Sequence, residues 1–284
     1  MRSLLFVPAD SERKLAKAAD ARADALIVDL EDSVAGERKA TARQLAAEYV
    51  KSAHGGPELW VRVNDLRSGQ LLPDLTAVVP ARPAGIVLPK IEGPADIVAV
   101  AHYLDAIEAA HGLGAGSTGM LVLVTETPAA LLRLPQLLEL ECARLRALTW
   151  GAEDLSAALG AGDPRGAGAW RSTYEFARIQ CLLTAHALSL EAIDTVFVDF
   201  RNVDGLAADC ASSRHDGFTG RLAIHPDQVA VINAAYTPSE AERQLAQRVI
   251  DAFAGGAGTV SIDGKMFDLP HLKAAQRLLR RARN

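Results

Sequence analysis

Charged side chains close the apolar runs of this chain, and their grouping is the first sign of chemistry. GMLVLVTE ends in Glu126, LRALTWGAED ends in Glu153 and Asp154, and ALIVDLED carries Asp29, Glu31 and Asp32. WVRVN holds Arg62 and Asn64, GIVLPKIE holds Lys90 and Glu92, and DTVFVDF brings Asp199 just before Arg201. Carboxylates gathered at one place repel each other and resist leaving water, so they keep their protons unless a cation stands among them. A divalent ion meets that need. Oxygen donors with no histidine or cysteine set beside them select Mg²⁺ or Mn²⁺ over zinc. Mg²⁺ commonly takes one or two protein carboxylates and leaves its other positions to water and substrate oxygens. Glu126 and Asp154 are the expected metal ligands, because each terminates a run at the same height on what would be neighbouring strands; Glu153 could exchange roles with Asp154. The competing use of Glu126, as a helix cap, is the weaker one, since glutamate caps poorly and Thr127 is better placed.

Arg62 lies inside an otherwise apolar run, where an unpaired guanidinium is costly. Its planar fork suits a substrate carboxylate held beside a metal. The same position also allows an internal ion pair with Asp29 or Asp32. Lys90 invites a Schiff-base reading, but the acids around it would keep it protonated, so it reads first as a salt-bridge residue. His225 has no second histidine at metal spacing and is expected to pack or hydrogen-bond at a helix start.

The elements that must position these groups follow from periodicity. Eight apolar runs occupy residues 3–9, 25–32, 59–64, 85–92, 119–126, 145–154, 194–200 and 220–226. Between them, segments such as ERKATARQLAAEYVKSA place apolar residues at three- and four-residue intervals, the pattern of amphipathic helices. Continuous rather than alternating apolar runs fit parallel strands covered on both faces. An eightfold βα alternation closes most economically into a (β/α)₈ TIM barrel of the α/β class, with the reactive groups at the C-terminal ends of the strands. An open doubly wound sheet would bring a glycine-rich phosphate loop after its first strand. Here DSERK follows, and GLGAGSTG precedes a strand and reads as a loop. The expected domains are a barrel over residues 1–236 and a C-terminal helical extension over 237–284, more than a barrel needs, with Pro226 opening one helix and Ser239 and Glu242 forming a capping box on the next.

Composition narrows the partners. Aromatic residues are only 5% against 49% hydrophobic, so the core must be aliphatic, and a net charge of −5 provides no basic field for nucleic acid. Cys142, Cys181 and Cys210 are too scattered for a zinc or disulfide framework, which suits a reducing cytoplasm. No stretch approaches a membrane span, and the N-terminal apolar run is too short for a signal sequence.

Taken together, FVPADSERKLAKA, ADALIVDLEDSV, WVRVND, GIVLPKIE, VTETPAAL, TWGAEDLSAALG, AIHPDQ and SIDGKMFDLPHL resemble the citrate lyase beta-subunit-like branch of the HpcH/HpaI aldolase superfamily, in order and over nearly the whole chain. The resemblance implies a Mg²⁺-dependent carbon–carbon lyase acting on acyl-CoA-type substrates, and a homotrimer or a multiple of it. It also implies metal ligation by Glu126 and Asp154 and a substrate carboxylate on Arg62, the residues chosen above on other grounds. From the C-terminal segment, which in such proteins covers a neighbouring subunit's barrel mouth, it implies a catalytic aspartate at Asp268, with Asp263 as the fallback; read without it, both are turn residues.

The expected reaction is cleavage or formation of a 3-hydroxyacyl thioester such as citramalyl-CoA or malyl-CoA, giving acetyl-CoA and a 2-keto acid. For the coenzyme A phosphates, Arg13, Lys17, Arg38 and Lys39 lie just past the first two strands. Many relatives have glycine after FVP, and Ala9 is expected to narrow the approach of the pantetheine arm. The alternatives are a citrate lyase beta chain working on an acyl-carrier protein in a larger complex, a malate synthase or thioesterase activity on the same thioesters, and a non-catalytic acyl-thioester-binding subunit.

Overall fold

Eight parallel strands close into a barrel in the computed structural model, which describes residues 1–53, 55–166 and 168–283. In chain order the elements are β1 (Ser3–Pro8), α1 (Glu12–Ala18), β2 (Ala25–Asp29), α2 (Lys39–Ser52), β3 (Glu58–Arg62), α3 (Leu71–Val78), β4 (Gly85–Leu88), α4 (Pro94–Ala110), β5 (Gly119–Leu123) and α5 (Pro128–Arg133). They continue with β6 (Leu145–Thr149), α6 (Ala152–Leu159), β7 (Arg165–Gly166), β8 (Ala169–Trp170), α7 (Ser172–Ala187), β9 (Glu191–Asp194), α8 (Val203–Asp216), β10 (Gly220–Ala223) and α9 (Pro226–Tyr236). The barrel order is β1-β10-β9-β6-β5-β4-β3-β2, returning to β1, and each neighbouring pair is parallel. This is the (β/α)₈ barrel expected from the sequence.

Strands covered by helices outside and side chains inside must be apolar throughout, and β2, β4 and β5 are buried at every residue. The interior is filled by Leu4, Ile27, Trp60, Val87, Leu121, Leu123, Ile193 and Leu222 with small residues between them. Trp60 is the largest of these and dictates its neighbours. A Cβ on Gly85 would fall 2.3 Å from Trp60 Cζ3 and 2.5 Å from the Gly119 carbonyl oxygen, so glycine is the residue that lets β4 pass.

Two elements differ from the sequence expectation. The seventh barrel strand is Glu191–Asp194, not residues 194–200. Asp194, its last residue, is anchored in the barrel by the Trp150 indole N–H at 2.6 Å and by Arg221 at 2.8 Å. The β-branched run after it leaves the barrel as a loop, held where Gln228 Nε2 donates to the Phe197 carbonyl, and Val198 is 57% exposed. Asp199 and Arg201 therefore do not end a strand. The second difference is the antiparallel pair β7–β8, inserted after α6.

Residues 1–233 form one compact unit, and the chain from Ala234 onward forms another. In the second, α10 (Glu240–Ala252) and α11 (Leu269–Arg283) pack together with the antiparallel hairpin of β11 (Thr259–Ile262) and β12 (Lys265–Asp268). Ala246, Val249, Phe253, Ile262 and Ala275 form its core. The Ser239–Glu242 capping box is present at the start of α10. Asp263 and Gly264 make the hairpin turn with φ of 50° and 74°, the consecutive left-handed pair that tight hairpins favour. Among the described residues no helix is long and apolar enough to cross a membrane.

Candidate active site

Strand register brings the first charges together. Asp29 pairs with Arg62 across β2 and β3, and both are the last residues of their strands. Arg62 Nε and Nη2 donate to the two Asp29 oxygens at 2.7 Å each, and Nη1 lies 3.0 Å from Glu31 Oε2. The guanidinium carbon sits 4.6 Å from the centre of the Phe6 ring, which fixes the plane of the fork. Burial pushes the Asp29 carboxyl up, but the Arg62 fork and the donors of Ser33 and Glu31 outweigh it and hold Asp29 below the usual range. The internal ion pair allowed by the sequence therefore exists, with Asp29 and Glu31 rather than Asp32. It leaves protons on Nη1 and Nη2 for a further carboxylate.

Lys90 stands two residues past β4 with φ of 50°. Its peptide N–H donates to Glu126 Oε2 at 2.5 Å. Its ammonium donates to Glu31 and to both Asp32 oxygens at 2.9 Å, and lies 3.3 Å from Asp154 Oδ1. Glu92, two residues on, pairs with Arg67 instead.

Glu126 is 2% exposed. Burial pushes its pKa well above the ordinary value and the charges of Asp154 and Glu31 add to the rise, against the opposing Lys90 amide and Arg62. It caps no helix: Thr127 Oγ1 accepts the Ala130 N–H at 3.0 Å and donates to the Ile91 carbonyl, starting α5 and tying the loops after β4 and β5 together. Asp154 does not end a strand as expected: β6 stops at Thr149, and Asp154 lies in the first turn of α6, which has no side-chain cap. Gly151, just ahead, leaves room for Glu126, since a Cβ there would stand 2.9 Å from Glu126 Cγ. That glycine was not legible as functional, because its role depends on a side chain of the segment after β5.

Asp29, Arg62, Glu126, Glu153 and Asp154 line one cavity of about 300 Å³, with Phe6, Leu123, Trp150, Val196, Leu222 and Ile224 as its apolar wall. Of the two adjacent acids, Asp154 raises Glu126 by its charge and approaches the Lys90 ammonium at 3.3 Å. The Trp150 wall is backed by Trp170 at 4.8 Å, edge to face, and Arg165 lies 3.6 Å over the Trp170 ring. The β7–β8 pair missed in the sequence thus supports the cavity.

A second cavity of about 550 Å³ shares Phe6, Pro8 and Ile224 with the first and is lined by Arg13, Lys14, Lys17 and His225. His225 stacks on Phe200 at 4.5 Å and accepts the Asp227 N–H, the packing role expected of it. Two basic residues proposed for phosphates are engaged elsewhere. Lys39 donates to the Leu30 and Glu31 carbonyls and to Asn64 Oδ1, which uses all three ammonium protons and makes it an internal strut. Arg38 is bound to Asp10. Ala9 is fully buried and lines neither cavity, so its methyl group does not narrow them. In the C-terminal unit Asp268 is half exposed, with its carboxylate on His271 Nδ1, while Asp263 is bound to Arg248.

A dication fits the donors. Burial and the charges of Asp154 and Glu31 disfavour the ionised form of Glu126, and a dication beside it would favour that form. Among the described residues no group of three or more His, Cys, Asp or Glu could hold an ion. Among the acids lining the cavity are Glu126 and Asp154, and Mg²⁺ commonly takes one or two protein carboxylates.

Known proteins share this architecture. A crystal structure of protein CitE from Mycobacterium tuberculosis in complex with magnesium, acetoacetate and coenzyme A superposes with a TM-score of 0.80 at 32% identity, covering 100% of this chain and 98% of that one. The mitochondrial citramalyl-CoA lyase of Mus musculus is 32% identical over 98% of this chain and 85% of its own. The (3S)-malyl-CoA thioesterase of Cereibacter sphaeroides strain KD131 is 34% identical over 99% and 94%. The profile of one family matches residues 2–226, the barrel whose mouth carries the acids and Arg62. By that match and by relatives aligned over most of their length, the chain belongs to the HpcH/HpaI aldolase/citrate lyase family.

Proposed function

We propose that this chain is a Mg²⁺-dependent carbon–carbon lyase that reversibly cleaves a 3-hydroxyacyl thioester, citramalyl-CoA or malyl-CoA, into acetyl-CoA and a 2-keto acid. The observation that carries the reading is the buried Glu126 facing one cavity with Asp154 and Arg62. Glu126 and Asp154 would hold the ion, which would supply Lewis acidity to the substrate's oxygens. Arg62, its fork already fixed by Asp29 and Phe6, offers its remaining protons to the substrate carboxylate and so orients the bond to be broken. The apolar wall of Leu123, Trp150, Val196 and Leu222 excludes water from that bond.

The thioester arm leaves through the adjoining cavity, where Arg13, with Lys14 and Lys17, faces the phosphates of coenzyme A. Asp268 of a neighbouring subunit in a homotrimer exchanges the proton of the acetyl carbon. The protein works in the cytoplasm, where Cys142, Cys181 and Cys210 stay free thiols.

The test is to incubate purified protein and Mg²⁺ with each thioester and to follow acetyl-CoA, keto acid and free CoA separately. Equal amounts of acetyl-CoA and keto acid are expected. Free CoA without acetyl-CoA would favour a thioesterase, the activity by which one relative is named. Cleavage of neither thioester would remove the stand-alone lyase and leave the acyl-carrier-protein alternative, in which the chain is a subunit of a larger complex.

A further inference from the structure

Lys90 meets the acid cluster twice, through its backbone and through its side chain. The amide donates to Glu126 from a left-handed conformation, φ 50°, which a non-glycine residue adopts only at a cost that the surroundings must offset. The side chain crosses the barrel mouth to Glu31 and Asp32 and stops 3.3 Å from Asp154. Glu31 is 4% exposed and Asp32 bonds through both oxygens, so these two anchor the ammonium. The approach to Asp154 is the longest of the set and the first that would open.

We propose that Lys90 is a positioning residue that competes with the dication for Asp154. This rests on the reading of Glu126 and Asp154 as metal ligands. An oxygen that accepts a dication beside an ammonium brings two positive charges together, so one must withdraw. Lys90 withdraws at small cost because Glu31 and Asp32 keep hold of it. Its charge therefore sets a ceiling on dication affinity, while its peptide keeps Glu126 aimed at the same place. A residue that merely builds the site has the opposite signature, since its removal loosens the ligands and weakens the metal.

Mn²⁺ titrations of wild-type protein, K90M, K90R, E126Q and D154N, followed by calorimetry and accompanied by thermal melts, separate these cases. The expected result is K90M binding Mn²⁺ roughly tenfold more tightly than wild type, since a unit charge has been removed a few ångströms from the ion. K90R should restore wild-type affinity, and E126Q and D154N should lose binding. Unchanged or weaker binding by K90M, with E126Q and D154N still losing it, overturns the role of Lys90 alone. Unchanged binding by E126Q and D154N overturns the metal reading and this inference with it. Should K90M melt far below wild type, K90Q, which can keep one bond to Glu31, is read by the same criteria.

Discussion

Glu126 has room for its carboxylate only because residue 151 has no Cβ. Gly151→Ala should shift that carboxylate, and kcat/KM for thioester cleavage should fall about 100-fold, the usual order for a misplacement near 1 Å. Full activity in that variant would show that Glu126 is not held where the account needs it. Arg62 allows a sharper separation. Lys at 62 keeps the charge but loses the fork, so R62K should stay folded and lose about 100-fold in kcat/KM, mostly through KM. R62A should also unfold more easily, by roughly 3–5 kcal/mol in denaturant titration, because it leaves the buried Asp29 unpaired; equal stability of R62A and wild type would contradict the buried pair. The acids and Arg62 were legible in the sequence because a charge at the end of an apolar run has few bland explanations. The left-handed backbone of Lys90 and the demand on Gly151 were not, since each comes from a contact between loops that no spacing encodes.

The strands that lead to Glu126 and Asp154, β5 and β6, are braced from the opposite end of the barrel. Glu108, near the end of α4, accepts the Gly116 and Thr118 amides ahead of β5 and is gripped by Arg144 ahead of β6. Burial pushes the Glu108 carboxyl up, but Arg144 and those donors outweigh it and hold its pKa at about 2 instead of 4.5. A depressed carboxyl stabilises the fold above its unfolded pKa, and that stability is lost as the pH falls toward 2. The difference corresponds to roughly 3 kcal/mol. Urea unfolding of wild type and E108Q should therefore differ by about that amount at neutral pH and converge between pH 4.5 and 2; a gap independent of pH would contradict the assignment. At this scale the sequence was read well where a strand is one continuous apolar block, as in β2, β4 and β5. It misled at β9, whose short EAID lacks such a block while the run after it has stronger strand propensity. In this case the buried anchorage of Asp194 overrides propensity.

For the whole molecule the proposed lid makes each site depend on assembly. If Asp268 serves a neighbouring barrel, subunits carrying E126Q and subunits carrying D268N, each inactive alone, should regain activity when assembled together, since mixed neighbours restore complete sites. Mixtures as inactive as their parents, or a D268N variant with full turnover, would count against a shared acid. The barrel was readable from an eightfold alternation of pattern, and the extension from helices beyond what a barrel needs. The keto acid was not readable, because the cavity wall comes from Trp150, Val196 and Ile224 on segments past the strand ends. One crystal grown with Mg²⁺ and pyruvate tests the central claim most directly. The account predicts a single ion about 2.1 Å from a carboxylate oxygen of both Glu126 and Asp154, with the keto acid completing its coordination beside Arg62. An ion held elsewhere, or touching neither carboxylate, would contradict it.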